Sequence, residues 1–216
     1  AGEGERAVDT IVVTARRREE SLIDVPVAMT VQSAEALDRS GATDITALQR
    51  NTPNLTLQVA RATNSTLTAF IRGIGQQDPL WGFEPGIGLY IDDVYVARPQ
   101  GAILDILDIE RVEVLRGPQG TLYGRNTIGG AIKFVTARLD DQPTFSVRTN
   151  LGEYNQRDLI VSGSAPLSDG LRVGGALGVY RRDGYGTNLW NGADIGNRES
   201  FSARLTVEFE PAPDWF

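Results

Sequence analysis

The sequence predicts an α+β unit followed by an antiparallel sheet, and three observations support this fold class. Gly accounts for 24 of the 216 residues, which favours turns and β structure over long helices. Short capped helices and short apolar runs fill residues 22–138, whereas from Pro143 onward apolar and polar residues alternate over long segments. We therefore divide the chain into a polar segment, residues 1–21, an α+β domain, residues 22–138, and a set of strands, residues 139–216.

Two short helices are expected in the α+β domain. Ser33 is placed to cap a helix that ends at Arg39, with Gly41 just beyond it. A second helix is expected over Thr43–Arg50, capped by Thr43 or Asp44 and ended by the approach of Pro53. Apolar or alternating runs predict the strands Val27–Val31, Leu55–Val59, Leu67–Ile71, Leu89–Val94, Arg111–Leu115 and Ala131–Thr136.

Four longer strands are expected in the last part of the chain: Phe145–Leu151, Leu159–Gly163, Leu171–Tyr180 and Phe201–Phe209. Short turns at 152–155 and 168–170 join the first three, and a long Gly/Asn-rich connection over 183–197 leads to the fourth. Such short and long connections are typical of a membrane β-barrel, whose loops are longer at one end. A soluble antiparallel sheet with one wet face gives the same alternation, so these strands alone leave both interpretations open.

Composition excludes several classes of function. Cys and His are absent, which excludes Cys nucleophiles, Ser-His-Asp triads and the usual zinc sites. The net charge of −7 argues against a nucleic-acid partner. The glycines at 117–130 fit neither the P-loop nor the dinucleotide pattern, and Asp92, Asp93, Asp105 and Asp108 do not have EF-hand spacing. We therefore expect no bound metal and no cofactor.

Four stretches resemble one known family. Asp9–Ala15 resembles a TonB box, and Leu89–Val94 resembles the plug strand usually written YIDGV, with Asp93 where the family more often has Gly. The run Ile109–Ile132 is very similar to the most recognisable part of the plug of TonB-dependent outer-membrane receptors, and Ile71–Gly73 adds the IRG element. Because their order and spacing agree, the chain is identified as a member of that family.

The resemblance implies an α+β plug domain inside an antiparallel transmembrane β-barrel of about 22 strands, of which about four lie in this chain. It covers about the first third of a typical member, so we expect the chain to be part of a longer protein. The implied location is the outer membrane of a Gram-negative bacterium.

The resemblance also implies a function: TonB-dependent import of a scarce nutrient, such as a ferric siderophore, cobalamin, haem or an oligosaccharide. No bond of the substrate is broken, so the protein is not expected to be an enzyme. The implied partners are the periplasmic domain of TonB, a small-molecule substrate such as an iron chelate, and outer-membrane lipid. The alternative function is a non-transporting surface or complex-forming protein on a truncated version of the same fold.

The N-terminal motif has a physical use, because β-branched residues favour an extended backbone that can add a strand to a partner's sheet. The family names that partner as TonB, and residues 1–21 are expected to be flexible around the motif. The alternative is an N-terminal strand of the plug itself. The implied TonB-binding residues are Asp9, Thr10, Ile11, Val12, Val13, Thr14 and Ala15.

Arg72 and Arg116 each precede a glycine at the end of an expected strand. In the family, matching arginines face glutamates on the barrel wall, so we expect Arg72, Arg116 and Glu113 to contact the barrel. Two surface arginines beside turns are the alternative interpretation. A polar-aromatic loop and a second loop carry the residue types that binding surfaces favour, and in the family such loops line the ligand site. The expected ligand-binding residues are Gln76, Gln77, Asp78, Trp81, Phe83, Arg98 and Gln100.

Overall fold

The computed structural model describes residues 11–42, 44–60, 63, 65–77, 82–100, 102–103 and 107–210. The chain forms two compact units, which divide between Thr136 and Ala137. Among the described residues, no helix has the length and apolar character needed to cross a membrane.

The first unit begins with a small hairpin. Strand β1 (Val12–Val13) pairs antiparallel with β2 (Glu20–Ser21), and a short 3-10 helix (Leu22–Asp24) follows. Arg16 and Arg18 both form ion pairs with Glu20 across the turn. Residues 11–21 therefore pair with each other and pack on the unit, and the flexibility expected over residues 1–21 stays a prediction. Residues 1–10 lie outside the described part of the chain.

A five-stranded sheet forms the centre of this unit, in the order β3-β9-β10-β7-β8. Strands β10 and β7 are parallel, and every other neighbouring pair is antiparallel. The strand bounds are β3 Met29–Ser33, β7 Ile87–Ile91, β8 Val94–Tyr95, β9 Ile109–Arg116 and β10 Gly130–Thr136.

Two sets of side chains alternate along these strands because successive residues point to opposite faces. On the first face, Val112, Val114 and Ile132 are fully buried in an aliphatic core. Helix α1 (Ala34–Arg39) and a 3-10 helix (Ile45–Arg50) contribute Leu37 and Leu48 to that core. This core is the main source of stability, since each fully buried aliphatic side chain contributes about 1.5–3 kcal/mol.

A smaller sheet in the order β4-β5-β6 contributes to the same core. Its strands are β4 Leu55–Val59, β5 Leu67–Ile71 and β6 Ile74–Gly75, and a helix of one turn, α2 (Gly120–Tyr123), follows β9. Caps predicted from sequence are present: the Ser33 hydroxyl accepts from the Ala36 N–H, and the Asp44 carboxylate accepts from the Thr46 N–H. The second predicted helix is 3-10 and begins at Ile45 rather than Thr43.

The second unit is a four-stranded antiparallel sheet in the order β11-β12-β13-β16. Its strands are β11 Thr144–Gly152, β12 Gln156–Ser168, β13 Leu171–Arg182 and β16 Arg198–Phe209. The 183–197 connection contains a further pair, β14 (Gly186–Thr187) with β15 (Asp194–Ile195). Exposure alternates along β16, where apolar Phe201, Leu205 and Val207 are exposed and Arg204 and Glu208 are less so. The four strands predicted from alternation are all present.

We predict that Gly130→Ala destabilises the first unit. Gly130 has φ +150°, and an added Cβ would lie 2.2 Å from the Leu115 carbonyl oxygen and 2.9 Å from Ile71 Cδ1. Leu115 lies in β9 and Ile71 in β5, and both are fully buried, so the expected loss is about 2 kcal/mol or more. Hydrogen exchange of β9 and β10 amides in the full-length protein should then be faster.

The matched control is Gly120→Ala, because an added Cβ at Gly120 meets nothing within 4 Å. Gly120 opens α2, where alanine is the better helix former. Equal protection of β9 and β10 in the two variants would show that close packing at Gly130 does not stabilise this sheet.

Candidate functional site

The N-terminal hairpin packs on the second face of the five-stranded sheet, opposite the aliphatic core. Val13 and Ala15 are buried there, and they join a cluster with Tyr90, Leu115 and Ala131. In contrast, Ile11 and Val12 are about half exposed, at 50% and 45%. The residues of the expected TonB box that the structure describes therefore form a docked segment, Ile11–Ala15, with one side held by the sheet.

A buried carboxylate holds this docked segment at Thr14. Glu113 lies on the second face of β9 and is fully buried. Its Oε1 accepts from the Thr14 N–H at 2.9 Å and from the Thr14 hydroxyl at 3.3 Å. It also accepts from Arg111 Nε at 2.8 Å, while its Oε2 has no hydrogen-bond partner among the described residues. Hydrogen bonds to a charged group are stronger than neutral ones, which makes Glu113 the main polar anchor of the segment.

Two buried cations complete the cluster. The Thr14 hydroxyl accepts from Lys133 Nζ at 2.9 Å and from an Arg111 guanidinium nitrogen at 3.3 Å. Lys133, only 3% exposed, also pairs with Asp93 at 3.1 Å. Asp93 is the position where the family more often has Gly, and here it supplies a counter-charge. We call Thr14, Arg111, Glu113 and Lys133 the Thr14 clasp.

A tyrosine secures the segment one residue further along. The Tyr123 hydroxyl donates to the Ala15 carbonyl oxygen at 2.9 Å, and the Tyr90 hydroxyl donates to the Tyr123 carbonyl oxygen at 2.6 Å. Burial, and next the nearby negative charge of Glu113, raises the pKa of Tyr123 well above its ordinary value. The phenol therefore remains a donor at neutral pH. This contribution is complete below the ordinary tyrosine pKa of about 10 and is lost only as the pH rises beyond it.

The hairpin leaves one backbone edge of β1 directed away from β2. The Leu22 N–H donates to the Ile11 carbonyl oxygen, and Val12 is the Cα partner of Ser21. Because paired and unpaired positions alternate in an antiparallel ladder, the Val12 N–H and C=O point away from β2. The Thr14 N–H lies on this same edge and is occupied by Glu113.

The structure brings the two expected arginine motifs together but separates Glu113 from them. Gly117 follows Arg116 directly. A Cβ added at Gly117 would lie 3.7 Å from an Arg72 guanidinium nitrogen. Arg116 donates to the Met29 carbonyl oxygen at 3.5 Å, and its buried Nε has no partner among the described residues. The alternation of side chains along β9 places Glu113 under Thr14, beside Arg111, and the barrel contact expected for Glu113 stays a prediction. A barrel contact for Arg72 and Arg116 stays a prediction.

Three of the expected ligand-binding residues line one pocket. Gln76, Phe83 and Arg98 surround an apolar floor made by residues of β5 and β7, among them Leu67 and Leu89. Phe83 is 53% exposed, so its ring is available for contact. Gln77 and Gln100 are exposed but do not line this pocket, and Asp78 and Trp81 lie outside the described residues.

Sequence reasoning missed Arg111, Lys133 and Tyr123 as part of the N-terminal site. One signal was available: in the run Arg111–Leu115, charged residues alternate with valines, so one face of a buried strand carries Arg111 and Glu113. Since buried charges need partners, that face had to be covered by polar groups. Which segment covers it depends on contacts about a hundred residues apart in sequence, and no local pattern predicts these.

Comparisons with known proteins give consistent results. The family model described as TonB-dependent Receptor Plug Domain matches residues 21–131. The pesticin receptor of Yersinia pestis is 32% identical over 214 residues, covering 95% of this chain and 30% of that protein. The vitamin B12 transporter BtuB of Vibrio vulnificus (strain CMCP6) is 26% identical over 181 residues, covering 82% and 28%.

A solved structure has the same fold. The crystal structure of the ferric yersiniabactin uptake receptor FyuA from Yersinia pestis superposes with a TM-score of 0.75 at 29% identity. The match covers 86% of this chain and 29% of that one. The chain thus spans no more than 30% of the length of these relatives.

We predict that Glu113→Gln loosens the docked segment. Glutamine keeps one acceptor oxygen but loses the charge, so the bonds from Thr14 and Arg111 weaken and Lys133 loses a neighbouring counter-charge. Losing a charge-assisted bond costs about 1.5–3 kcal/mol. Exchange of the Thr14 and Ala15 amides in the full-length protein should therefore be about tenfold faster or more.

Glu110→Gln is the matched control. Glu110 is a half-exposed carboxylate on the same strand that pairs with the same Arg111 but does not contact Thr14. If both variants change exchange at Thr14 equally, the effect belongs to Arg111 and not to the bond between Glu113 and the segment.

Proposed function

Because the chain belongs to the TonB-dependent receptor family, we propose that it supplies the plug and first barrel strands of a transporter that imports a scarce nutrient with energy from TonB. The observation that supports this most directly is the docked segment Ile11–Ala15. Its Thr14 backbone is bound by the buried Glu113, while the Val12 N–H and C=O are not used in pairing with β2.

In this proposal the Thr14 clasp keeps the segment on the plug until substrate arrives. Substrate binding shifts a pre-existing equilibrium between docked and released segments, and it does so only by its difference in affinity for the two states. The released segment then adds as a strand to the periplasmic domain of TonB. Binding alone cannot drive uphill transport, so TonB supplies the work that rearranges the plug.

We propose a ferric siderophore as the substrate class. Similarity to the ferric yersiniabactin uptake receptor at 29% identity supports this class over cobalamin, whose listed transporter BtuB is 26% identical. The pocket at Gln76, Phe83 and Arg98 has the composition that such a chelate needs: an apolar floor, an aromatic ring and a guanidinium. No bond of the chelate is broken in binding or import, so the proposal includes no enzymatic step.

The barrel strands fit this role physically. Along β16 the exposed apolar residues run from Phe201 to Phe209. At about 3.4 Å per residue these span roughly 27 Å, and a strand tilt of about 40° reduces the height to about 21 Å. That height is close to the apolar band of about 25 Å on outer-membrane barrels. We therefore propose that this face contacts lipid and that Arg204 and Glu208 face the barrel interior.

We predict that Val12→Pro abolishes uptake and leaves substrate binding unchanged. Proline removes the Val12 N–H, which points away from β2, so the hairpin keeps its own hydrogen bonds while strand addition loses a donor. Cells producing the full-length variant should bind radioactive ferric siderophore at the surface and fail to accumulate it.

Val12→Ala keeps the donor and serves as the control, with accumulation expected near the level of the unaltered protein. Undiminished accumulation by Val12→Pro would contradict the TonB assignment. Loss of surface binding in Val12→Pro would instead point to a folding defect in the plug.

We predict that Phe83→Ala weakens substrate binding. Truncating an exposed aromatic contact residue typically costs more than 1 kcal/mol when it lies in a binding site, so affinity should fall about tenfold. Binding of a panel of ferric siderophores to the purified full-length protein measures this. Leu122→Ala removes a 42% exposed apolar side chain outside the pocket and should leave affinity unchanged. If Phe83→Ala binds every active chelate normally, the pocket is not the ligand site.

A further inference from the structure

The apolar face of the four-stranded sheet ends in a charged row at one end. Leu151, Arg157, Arg181 and Glu199 are successive Cα partners across β11, β12, β13 and β16. All four are exposed. The next row on the same face consists of Thr149, Leu159, Val179 and Phe201, because side chains of one face recur at every second residue. Two cations therefore stand side by side directly above the apolar band.

This row lies at the extracellular end of the strands. It is next to the 153–155 turn and to the 183–197 connection, whereas the short 169–170 turn is at the opposite end. In outer-membrane barrels the longer loops face outward and the short turns face the periplasm. Arg157 and Arg181 are thus at the level of the outer-leaflet headgroups.

Neither arginine forms a strong hydrogen bond or ion pair with another described residue. Arg157 has no hydrogen bond or ion pair among the described residues, and Arg181 has a single ion pair with Glu199 at 3.5 Å. Both partners of that pair are exposed, and such pairs contribute little. Guanidinium groups side by side repel each other unless an anion lies between them, and phosphate matches their donor geometry.

The sheet face below the arginines has a groove suited to an acyl chain. Gly163 and Gly175 are Cα partners, and they form the floor between the bulky side chains of Phe145 and Leu205. The floor lies six residues along each strand from the arginine row, or on the order of 20 Å. Charge above and an apolar groove below together match an amphiphile with a phosphorylated headgroup.

We propose that Arg157 and Arg181 bind a phosphate group of the glycolipid that forms the outer leaflet of the outer membrane, with one of its acyl chains in the Gly163–Gly175 groove. The site consists of residues of the second unit, whereas the substrate pocket and the docked N-terminal segment consist of residues of the first. It anchors the first barrel strands in the outer leaflet. The proposal depends on the membrane orientation of the strands and not on the identity of the imported substrate.

The test is lipid retention by the purified full-length protein. The protein is incorporated into phosphatidylcholine nanodiscs with a small fraction of diphosphorylated lipid A, and bound lipid A is counted by native mass spectrometry. Arg157→Gln with Arg181→Gln should lower retention about thirtyfold, since each of the two basic residues at a membrane surface contributes about 1 kcal/mol. Glu199→Gln, in the same row, removes a negative charge and should retain at least as much lipid A as the unaltered protein.

Two further measurements distinguish binding of the lipid phosphate from binding of the acyl chains alone or of free phosphate. Dephosphorylated lipid A should be retained no better by the unaltered protein than by the double variant, and inorganic phosphate at millimolar concentration should not displace lipid A. If the double variant does not assemble, Arg157→Gln alone is measured instead. The Arg157 side chain has no partner among the described residues, so this substitution removes no contact within the protein. Equal retention by the folded arginine variants and the unaltered protein would overturn the proposal, and so would complete displacement by phosphate.

Discussion

A carboxylate buried at the centre of the plug sheet, Glu113, is the constraint on which the rest of the first unit depends. A buried charge is tolerated only when donors surround it. Arg111 on its own strand supplies one donor, and the segment from Thr14 supplies two more. A purely apolar segment therefore cannot pack on this face, because it would leave the Glu113 carboxylate without donors. It needs a polar cover, and the N-terminal hairpin is that cover.

The free energy needed to expose each face of the sheet to water consequently differs between the two faces. Removing the cover of the first face would expose Val112, Val114 and Ile132 to water, at about 1.5–3 kcal/mol for each side chain. On the second face, Glu113, Arg111 and Lys133 would regain hydration when Thr14 leaves. Release would also expose Val13 and Ala15 and the residues that they cover, Tyr90, Leu115 and Ala131. A face that mixes charges with apolar residues thus gives a specific docked state at a smaller cost of release than a fully aliphatic face.

Most of the fold followed from local patterns, because caps, turn residues and alternation act within a few positions. Leu55–Val59 and Leu67–Ile71 have the bounds that alternation predicted, and Ser33 caps α1 as expected. The strand expected over Val27–Val31 lies two residues later, since pairing with β9 fixes its register and local propensity does not. The role of Glu113 was not predictable for a related reason: its partner Thr14 is 99 residues away.

In the proposed function, holding the segment on the plug and adding it to the TonB sheet use the same backbone edge of β1, so the two are mutually exclusive. A strand added along Val12 continues to the Thr14 N–H, which Glu113 already occupies. Under this proposal the partner's strand and the carboxylate compete for one donor, and the strength of the clasp sets the fraction of molecules whose segment is released without substrate. Inverting a population from 1:99 to 99:1 takes about 5.5 kcal/mol. A few charge-assisted hydrogen bonds, together with one buried valine, are of that magnitude. An isolated clasp residue is thus enough to move the equilibrium without altering the aliphatic core.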